Sequence, residues 1–246
     1  MTLVNKKILI AGASSDLAAP LNAALLAAGA ILGLHYFKND KSLSAYSESP
    51  KLKKMAKDLN DGAACRALIQ DFIKWAGGID YLILLPGNIR RSVNWQELDD
   101  EDWNYDLNIN LKIPFFLAQA AIPLMKDKGG RIIFMSTASA SRGGGPNTLA
   151  YGVSKAGVEC VTKRLAADCA PYKILVNAVA PGFFVTKFHT DRMQRSPEQL
   201  KKRIEMIPLK RSGTADEFAG TILFLLSEPA SYITGQVIEL SGGDWI

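Results

Sequence analysis

The residues KKILIAGASSDLA (6–18) place a run of apolar side chains directly before a turn of small and polar ones, and PLNAALLAAGA (20–30) follows. An apolar run of this length predicts a buried strand, and the Ala/Leu-rich stretch has the composition of a helix. A glycine turn between a strand and a helix favours phosphate binding, because N–H groups at a helix N-terminus attract anions. The stretch predicts the first strand–turn–helix unit of a nucleotide-binding sheet.

Five further apolar runs occur, separated by longer segments, most of them with helical spacing. They are AILGLHY (30–36), YLILLPG (81–87), RIIFMS (131–136), KILVNAVAPG (173–182) and QVIEL (236–240). Strands without polar alternation are typical of a parallel sheet that helices cover on both faces. The pattern predicts an α/β fold with a doubly wound parallel sheet of the Rossmann type, in a single domain over residues 1–246. Ligands of such a sheet lie at the carboxyl ends of its strands.

Composition narrows the classes of function. The net charge is +5, yet the basic clusters 51–57 and 200–206 lie in helix-like stretches where lysine marks a solvated face, so we expect no nucleic-acid binding. The three cysteines lack metal-ligand spacing, so no metal is expected. Without a signal peptide or a run of about 20 apolar residues, the chain is expected to be cytoplasmic and to bind no membrane.

The pair Tyr151 and Lys155, in YGVSK, carries the strongest local chemical signal. Residues four apart on a predicted helix share one face. A nearby ammonium favours the phenolate and lowers the pKa of a tyrosine from its ordinary value of about 10. The pair predicts proton transfer to or from an alcohol or carbonyl oxygen, the alternative being a surface pair without function.

Other motifs stand in a fixed order along the chain: DYLILLPG (80–87), DLNINLKIPFF (106–116), RIIFMST (131–137), AYGVSKAGV (150–158), NAVAPGFFVT (177–186), IPLKRSGTADEFAGTILFLLS (207–227) and YITGQVIELSGG (232–243). With the first turn, they resemble the short-chain dehydrogenase/reductase family over nearly the whole chain, including its 3-oxoacyl-(acyl-carrier-protein) reductase-like members. The resemblance implies hydride transfer between a nicotinamide cofactor and a carbonyl carbon. Tyr151 would be the proton donor in reduction, Lys155 would hold the nicotinamide ribose, and Asn110 would support the lysine through a water.

A hydroxyl group is expected to bind the substrate oxygen. The catalytic serine of the family aligns with Thr137, whereas counting back from Tyr151 by the common spacing reaches Ala138, which has no hydroxyl. An extra residue in the glycine-rich loop that follows would reconcile the two counts. We favour Thr137, with Ser139 and Ser136 as alternatives.

The first turn departs from the family's Thr-Gly-x-x-x-Gly-x-Gly pattern. Gly12 is kept, while Asp16 and Ala18 replace the other two glycines. The Asp16 carboxylate would repel a pyrophosphate, or it would cap the following helix. Ser14 and Ser15 could donate hydrogen bonds to phosphates.

The family pattern implies further cofactor contacts. NAD-preferring members carry an acid at the end of the second strand, where this chain has Tyr36. His35 and Lys38 could attract a 2′-phosphate, so we favour NADP(H), with NAD(H) open through Asp40. The expected cofactor-binding residues are Gly12, Ser14, Ser15, Asp16, Leu17, Tyr36, Lys38, Asp58, Leu59, Pro86, Gly87, Tyr151, Lys155, Pro181, Gly182 and Thr186.

The substrate side is expected in the long segment 183–210, interpreted as a lid. Basic residues could receive an anionic substrate or could simply be solvated; they are Arg90, Arg91, Lys187 and His189. The family resemblance implies a homo-oligomer, a tetramer or a dimer, with contacts near the C-terminal GGDWI (242–246).

Two hypotheses of function follow. The first is an NADP(H)-dependent oxidoreductase that acts on a ketone or secondary alcohol of small-molecule size, and it rests on the tyrosine–lysine–asparagine set. The second is a catalytically weak relative that binds a dinucleotide as a sensor or scaffold, and it rests on the altered turn and hydroxyl spacing. The retained set of matched residues favours the enzyme.

Overall fold

The computed structural model describes residues 2–244; Trp245 and Ile246, at the end of the segment expected to make oligomer contacts, lie outside this range. The strands are β1 (Lys7–Ala11), β2 (Ile31–Tyr36), β3 (Leu52–Ala56), β4 (Tyr81–Leu84), β5 (Gly130–Met135), β6 (Ile174–Pro181) and β7 (Val237–Leu240). They form one parallel sheet in the order β3-β2-β1-β4-β5-β6-β7. The predicted doubly wound fold of a single domain is confirmed.

Seven α-helices accompany the sheet in the described chain: α1 (Ala18–Ala27), α2 (Gly62–Ala76), α3 (Asp100–Leu107), α4 (Ile113–Met125), α5 (Leu149–Cys169), α6 (Pro197–Met206) and α7 (Ala215–Leu225). A π-helical turn, Asn108–Lys112, joins α3 to α4, and a second one, Phe188–Arg192, precedes α6. Both lie beside the carboxyl ends of the strands.

Alternate side chains of the strands enter two separate cores, one on each face of the sheet. One face packs against α2, α4 and α5, with Phe72 and Leu117 fully buried, and the other packs against α1 and α7, with Leu25 and Ile222 fully buried. The first core depends on Gly33 in β2, because a Cβ there would lie 2.5 Å from the ring of Phe72.

The strand β3 corrects one sequence-based interpretation. Residues 51–57 were expected to be helical, yet 52–56 form the edge strand beside β2. Its lysines, Lys53 and Lys54, are half-buried, and lysine is typical of edge strands because it discourages pairing with other chains. The connection from β2 to β3 contains only a short 3₁₀ turn, Lys41–Leu43, in place of a crossover helix.

The helical run Asp100–Met125 is the single one in the described chain with the length and composition of a membrane span. Within the fold, its α4 portion packs against α2, and Leu117 and Met125 are fully buried in the core. The α4 part of this run is thus buried against the sheet. The absence of membrane binding stays a prediction.

Candidate functional site

A cleft of about 590 Å³ lies at the carboxyl ends of the strands, where a doubly wound sheet binds its ligand. Most of the residues predicted from the sequence line it: Ser14, Ser15, Asp16, Leu17, Gly87, Thr137, Tyr151, Lys155, Pro181, Gly182 and Thr186. Gly12, Pro86 and Asn110 lie directly behind its wall. The other four predicted residues do not line the cleft; they are Tyr36, Lys38, Asp58 and Leu59.

The turn after β1 requires glycine at position 12 for two reasons. Gly12 has a φ of +77°, which side chains rarely adopt, and a Cβ there would lie 3.1 Å from the backbone nitrogen of Pro86. Nearby, the hydroxyl oxygen of Ser15 is buried, and it has no hydrogen-bond partner in the part of the chain that the structure describes. A phosphate oxygen bound at this turn would satisfy that hydroxyl.

His35 braces the same turn from the end of β2. Its Nδ1 accepts a hydrogen bond from the Gly12 N–H at 3.2 Å, and its Nε2 donates to the carbonyl oxygen of Lys57 at 3.0 Å. These partners fix one neutral tautomer, and burial lowers the pKa of the ring. The expectation that His35 attracts a phosphate is wrong, since the ring is buried and neutral.

Asp16 has a partner that its position in the sequence does not suggest. Its carboxylate accepts a hydrogen bond from the backbone N–H of Lys187 at 2.8 Å, and the Lys187 ammonium lies 3.7 Å away. The N-cap of α1 is Leu17, without a side-chain cap. The capping role expected for Asp16 is therefore wrong, and the residue instead joins the phosphate turn to the 183–210 segment.

Tyr151 and Lys155 lie together on α5, facing the cleft. Burial raises the pKa of Tyr151 to about 12, and a hydrogen bond with the Thr137 side chain opposes this rise. Burial also lowers the pKa of Lys155 to about 7. The expected depression of the tyrosine pKa by the lysine is not found, because burial favours the neutral form of both groups and the ammonium lies 5.7 Å from the centre of the phenol ring.

Lys155 and Asn110 approach one point from two elements. The lysine ammonium donates to the carbonyl oxygen of Met135 at 2.8 Å. A Cβ built on Gly87 would lie 3.4 Å from the lysine Nζ and 3.6 Å from the Asn110 Oδ1. The glycine at the strand end LLPG therefore leaves space between the two side chains.

Asn110 belongs to the π-helical turn between α3 and α4. Its amide nitrogen donates to the carbonyl oxygens of Asn88 and Asp106 at 2.7 and 2.8 Å, and its oxygen accepts from the Asn88 N–H at 2.9 Å. The Asn110 side chain therefore binds the carbonyl oxygen one helical turn before it in the chain, that of Asp106. The same side chain thereby fixes the loop after β4.

The three candidate hydroxyls differ in their hydrogen-bond partners. Ser136 lines the cleft but is buried, and its hydroxyl donates to the Glu159 carboxylate at 2.8 Å. Thr137 lines the cleft beside Tyr151, and its hydroxyl lies 3.3 Å from that of Ser139. This placement favours Thr137, with Ser139 next to it, and it turns Ser136 toward a structural role.

Several cleft residues are not predicted from the sequence, and three of them lie on one loop after β2: Asn39, Lys41 and Ser42. The Ser42 hydroxyl donates to the backbone oxygen of Ser14 at 2.8 Å, so this loop lies against the phosphate turn. Lys38 lies over the ring of Phe37 at 4.7 Å. The missed residues follow a strand end and are polar, which is the signal that could have found them.

Comparison with known proteins places this geometry in a family. A family model described as enoyl-(acyl carrier protein) reductase matches residues 12–244. A 3-oxoacyl-(acyl-carrier-protein) reductase of Thermotoga maritima is 35% identical, with 99% of each chain covered. The chain belongs to the short-chain dehydrogenase/reductase family. It is an oxidoreductase, as the resemblance predicted.

Solved structures agree with this assignment to the short-chain dehydrogenases/reductases. A putative short-chain alcohol dehydrogenase from Sinorhizobium meliloti has a TM-score of 0.86 at 32% identity, covering 98% of this chain and 97% of its own. A short-chain dehydrogenase/reductase from Brucella melitensis, described as glucose/ribitol dehydrogenase, has a TM-score of 0.90 at 26% identity, covering 100% of both chains.

In this short-chain dehydrogenase/reductase, the loop after β4 is held by buried acids. Asp102 accepts hydrogen bonds from Arg90 at 2.7 Å and from Arg91 at 2.9 Å, and the bonds from Arg91 and Arg90 lower its pKa to about 2. Neither arginine lines the cleft. The expectation that these two receive an anionic substrate is therefore not supported by their placement.

Asp106 is the buried acid without a cationic partner among the described residues. Its oxygen accepts from the backbone N–H of Arg90 at 2.9 Å, and burial raises its pKa to about 6. The folded state therefore retains a proton that the unfolded chain releases near its ordinary pKa. This group lowers the stability progressively as the pH rises from about 4 to 6, and the full penalty is present above that window.

We predict that Asp106→Asn stabilises the protein at about pH 8 by 1 to 3 kcal/mol, with a much smaller gain near pH 4.5. The amide removes the ionisation and still accepts the Arg90 N–H. Urea unfolding across this pH range measures the difference. Asp102→Asn is the matched control, and we expect it to lose stability at pH 8 because Arg90 and Arg91 lose their anion. A gain from Asp106→Asn that is independent of pH would contradict the prediction.

Proposed function

We propose that this chain is an NADP(H)-dependent oxidoreductase that reduces a ketone to a secondary alcohol, with Tyr151 as the proton donor. The observation that carries the proposal is the convergence of Tyr151, Thr137 and Lys155 on one cleft beside the phosphate turn. The alternative function, a sensor or scaffold without catalysis, has no structural observation in its favour.

The residues of the cleft fit a dinucleotide. The unsatisfied Ser15 hydroxyl and the N-terminus of α1 would hold the pyrophosphate, at the turn whose path Gly12 permits. The space above Gly87, beside Lys155, would receive the ribose next to the nicotinamide. When bound, the cofactor supplies or accepts the hydride, and the protein supplies position and protons.

The protein's own groups would handle the proton at the substrate oxygen. The raised pKa keeps Tyr151 in its neutral, proton-bearing form near neutral pH, which is the form that reduction requires. The Thr137 hydroxyl would stabilise the charge that develops on the same oxygen. Lys155 is near its midpoint of protonation at neutral pH, so it can hold a proton that replaces the one lost by Tyr151.

Lys41, and not Lys38, is the cation that would bind the 2′-phosphate of NADP(H). Lys41 lines the cleft beside Ser42, whose hydroxyl contacts the phosphate turn. Tyr36 ends β2, so no carboxylate occupies the position that repels a 2′-phosphate. NAD(H) is the alternative cofactor. We further propose a cytoplasmic homo-oligomer, on the family resemblance alone.

We predict that Tyr151→Phe lowers kcat by about 10²- to 10⁴-fold, because the ring stays in place and only the proton donor is lost. NADPH and NADH oxidation is measured against a panel of ketones and 3-oxoacyl thioesters. Cofactor binding, followed by NADPH fluorescence, should be unchanged. If the wild-type protein binds NADPH and reduces no member of the panel, the oxidoreductase proposal fails and the sensor alternative replaces it.

The choice of hydroxyl gives a second expected outcome. Thr137→Ala should lower kcat by about 10- to 10³-fold, since a donor to the developing oxyanion is lost. Ser136→Ala is the matched control, and we expect it to reduce thermal stability while kcat changes less than about threefold. A larger kcat loss from Ser136→Ala than from Thr137→Ala would reverse the assignment.

A third expectation concerns the cofactor. Lys41→Ala should raise the KM for NADPH by about five- to tenfold, roughly 1 kcal/mol of an exposed charge interaction, and leave the KM for NADH unchanged. Lys38→Ala serves as the control and should change neither value. Equal effects of Lys41→Ala on both cofactors would rule out recognition of a 2′-phosphate by this residue.

A further inference from the structure

The 183–210 segment gives the cleft two arginines and a histidine. His189, Arg195 and Arg203 all line the cleft. Asp191, the acid that this segment contributes to the wall, is exposed and accepts a hydrogen bond from the Thr190 hydroxyl. Arg203 pairs with Asp244, so Arg195 is the arginine of this wall without a carboxylate partner among the described residues.

Arg195 is the arginine of this group whose charge no carboxylate of the described residues balances. It is half-buried, and no carboxylate of the described residues lies within ion-pairing distance of its guanidinium. Burial, followed by the charge of Arg203, lowers its pKa. A partly desolvated cation without a counter-ion carries a free-energy cost that a bound anion would remove.

The neighbours of Arg195 are already engaged. The Arg203 guanidinium pairs with Asp244 and lies 5.3 Å from the centre of the Phe183 ring. The His189 ring packs against the same phenylalanine at 4.7 Å. Burial, with Arg195 and Arg203 adding to it, lowers the pKa of His189 to about 4, so His189 is neutral near pH 7 and can donate or accept a hydrogen bond.

The position of this cluster separates it from the cofactor phosphates. Phe183, on which Arg203 and His189 pack, follows β6, whereas the phosphate turn follows β1, three strands away in the sheet. The ends of these two strands are about 14 Å apart at the usual spacing of neighbouring strands, and the segment contacts the phosphate turn at Lys187, through Asp16. Tyr151 and Thr137 lie between, because Thr137 follows β5. The cluster is thus on the substrate side of the proton donor.

Resting on the oxidoreductase function proposed above, we propose that Arg195 binds an anionic group, a carboxylate or a phosphate, at the end of the carbonyl substrate remote from the reacting carbon. A guanidinium presents paired N–H donors that match the oxygens of either anion. The anion would complete the charge balance of Arg195. The substrate class is therefore an anionic ketone.

The test compares ketones that differ only in charge. Methyl ketones with a terminal carboxylate, from acetoacetate to 7-oxooctanoate, are assayed with NADPH beside their methyl esters, and dihydroxyacetone phosphate beside dihydroxyacetone. We expect the wild-type protein to prefer at least one anion over its neutral partner by about tenfold in kcat/KM. The two arms distinguish a carboxylate from a phosphate.

The variants assign that preference to one side chain. Arg195→Gln should raise the KM for the anionic ketone about tenfold, with kcat and the KM values for the ester and for NADPH within about twofold. Arg195→Lys should restore part of the preference, and Arg211→Gln, on a guanidinium paired with Glu217 outside this cleft, should change nothing. Equal losses for acid and ester, or a raised KM for NADPH, would overturn the proposal.

A measurement without turnover keeps this proposal separate from the proposed reaction. In the presence of NADPH, the preferred keto acid should raise the thermal midpoint of the wild-type protein and not that of Arg195→Gln. If the acid binds in this way and no ketone is reduced, the anion site stands and the oxidoreductase proposal fails. If neutral ketones are reduced and the acids show no advantage, the reaction stands and the anion site is wrong.

Discussion

The close approach of two backbones at Gly12 is the constraint on which the site depends. The turn after β1 passes so near the end of β4 that a single methyl group would contact Pro86. This is where the sheet reverses its strand order, and the reversal opens the cleft. Because His35 also binds the Gly12 N–H, the ends of β2 and β3 are held to the same point. One glycine therefore aligns four strand ends around the ligand site.

Much of the fold was predictable because buried parallel strands leave continuous apolar runs in the sequence. The exception, β3, is an edge strand, and its lysines interrupt the run in a way that resembles a helix surface. The tyrosine and lysine of the site could be found because helical spacing places them together. Lys41 leaves only a weak signal, a polar residue after a strand end, because its loop has no periodicity and its position follows from contacts made by Ser42 and Leu43.

Charges were harder to predict than positions, because the state of a titratable group depends on its burial. The spacing of Tyr151 and Lys155 indicates proximity, but it does not reveal that burial acts on both groups and raises the tyrosine pKa in place of the expected depression. Likewise, Arg90 and Arg91 look available in the sequence, whereas the buried Asp102 already binds them. The charge state and the availability of these side chains depend on residues that are distant in the chain.

The bond between Asp16 and Lys187 has a thermodynamic consequence. An anion bound against Ser14 and Ser15 meets the Asp16 carboxylate, and the same carboxylate holds the segment that carries Arg195. The two ends of the cleft thus share one group, and any effect of a ligand at one end on the affinity for a ligand at the other would be reciprocal. The residue that replaces a family glycine is the direct contact through which such an effect would pass.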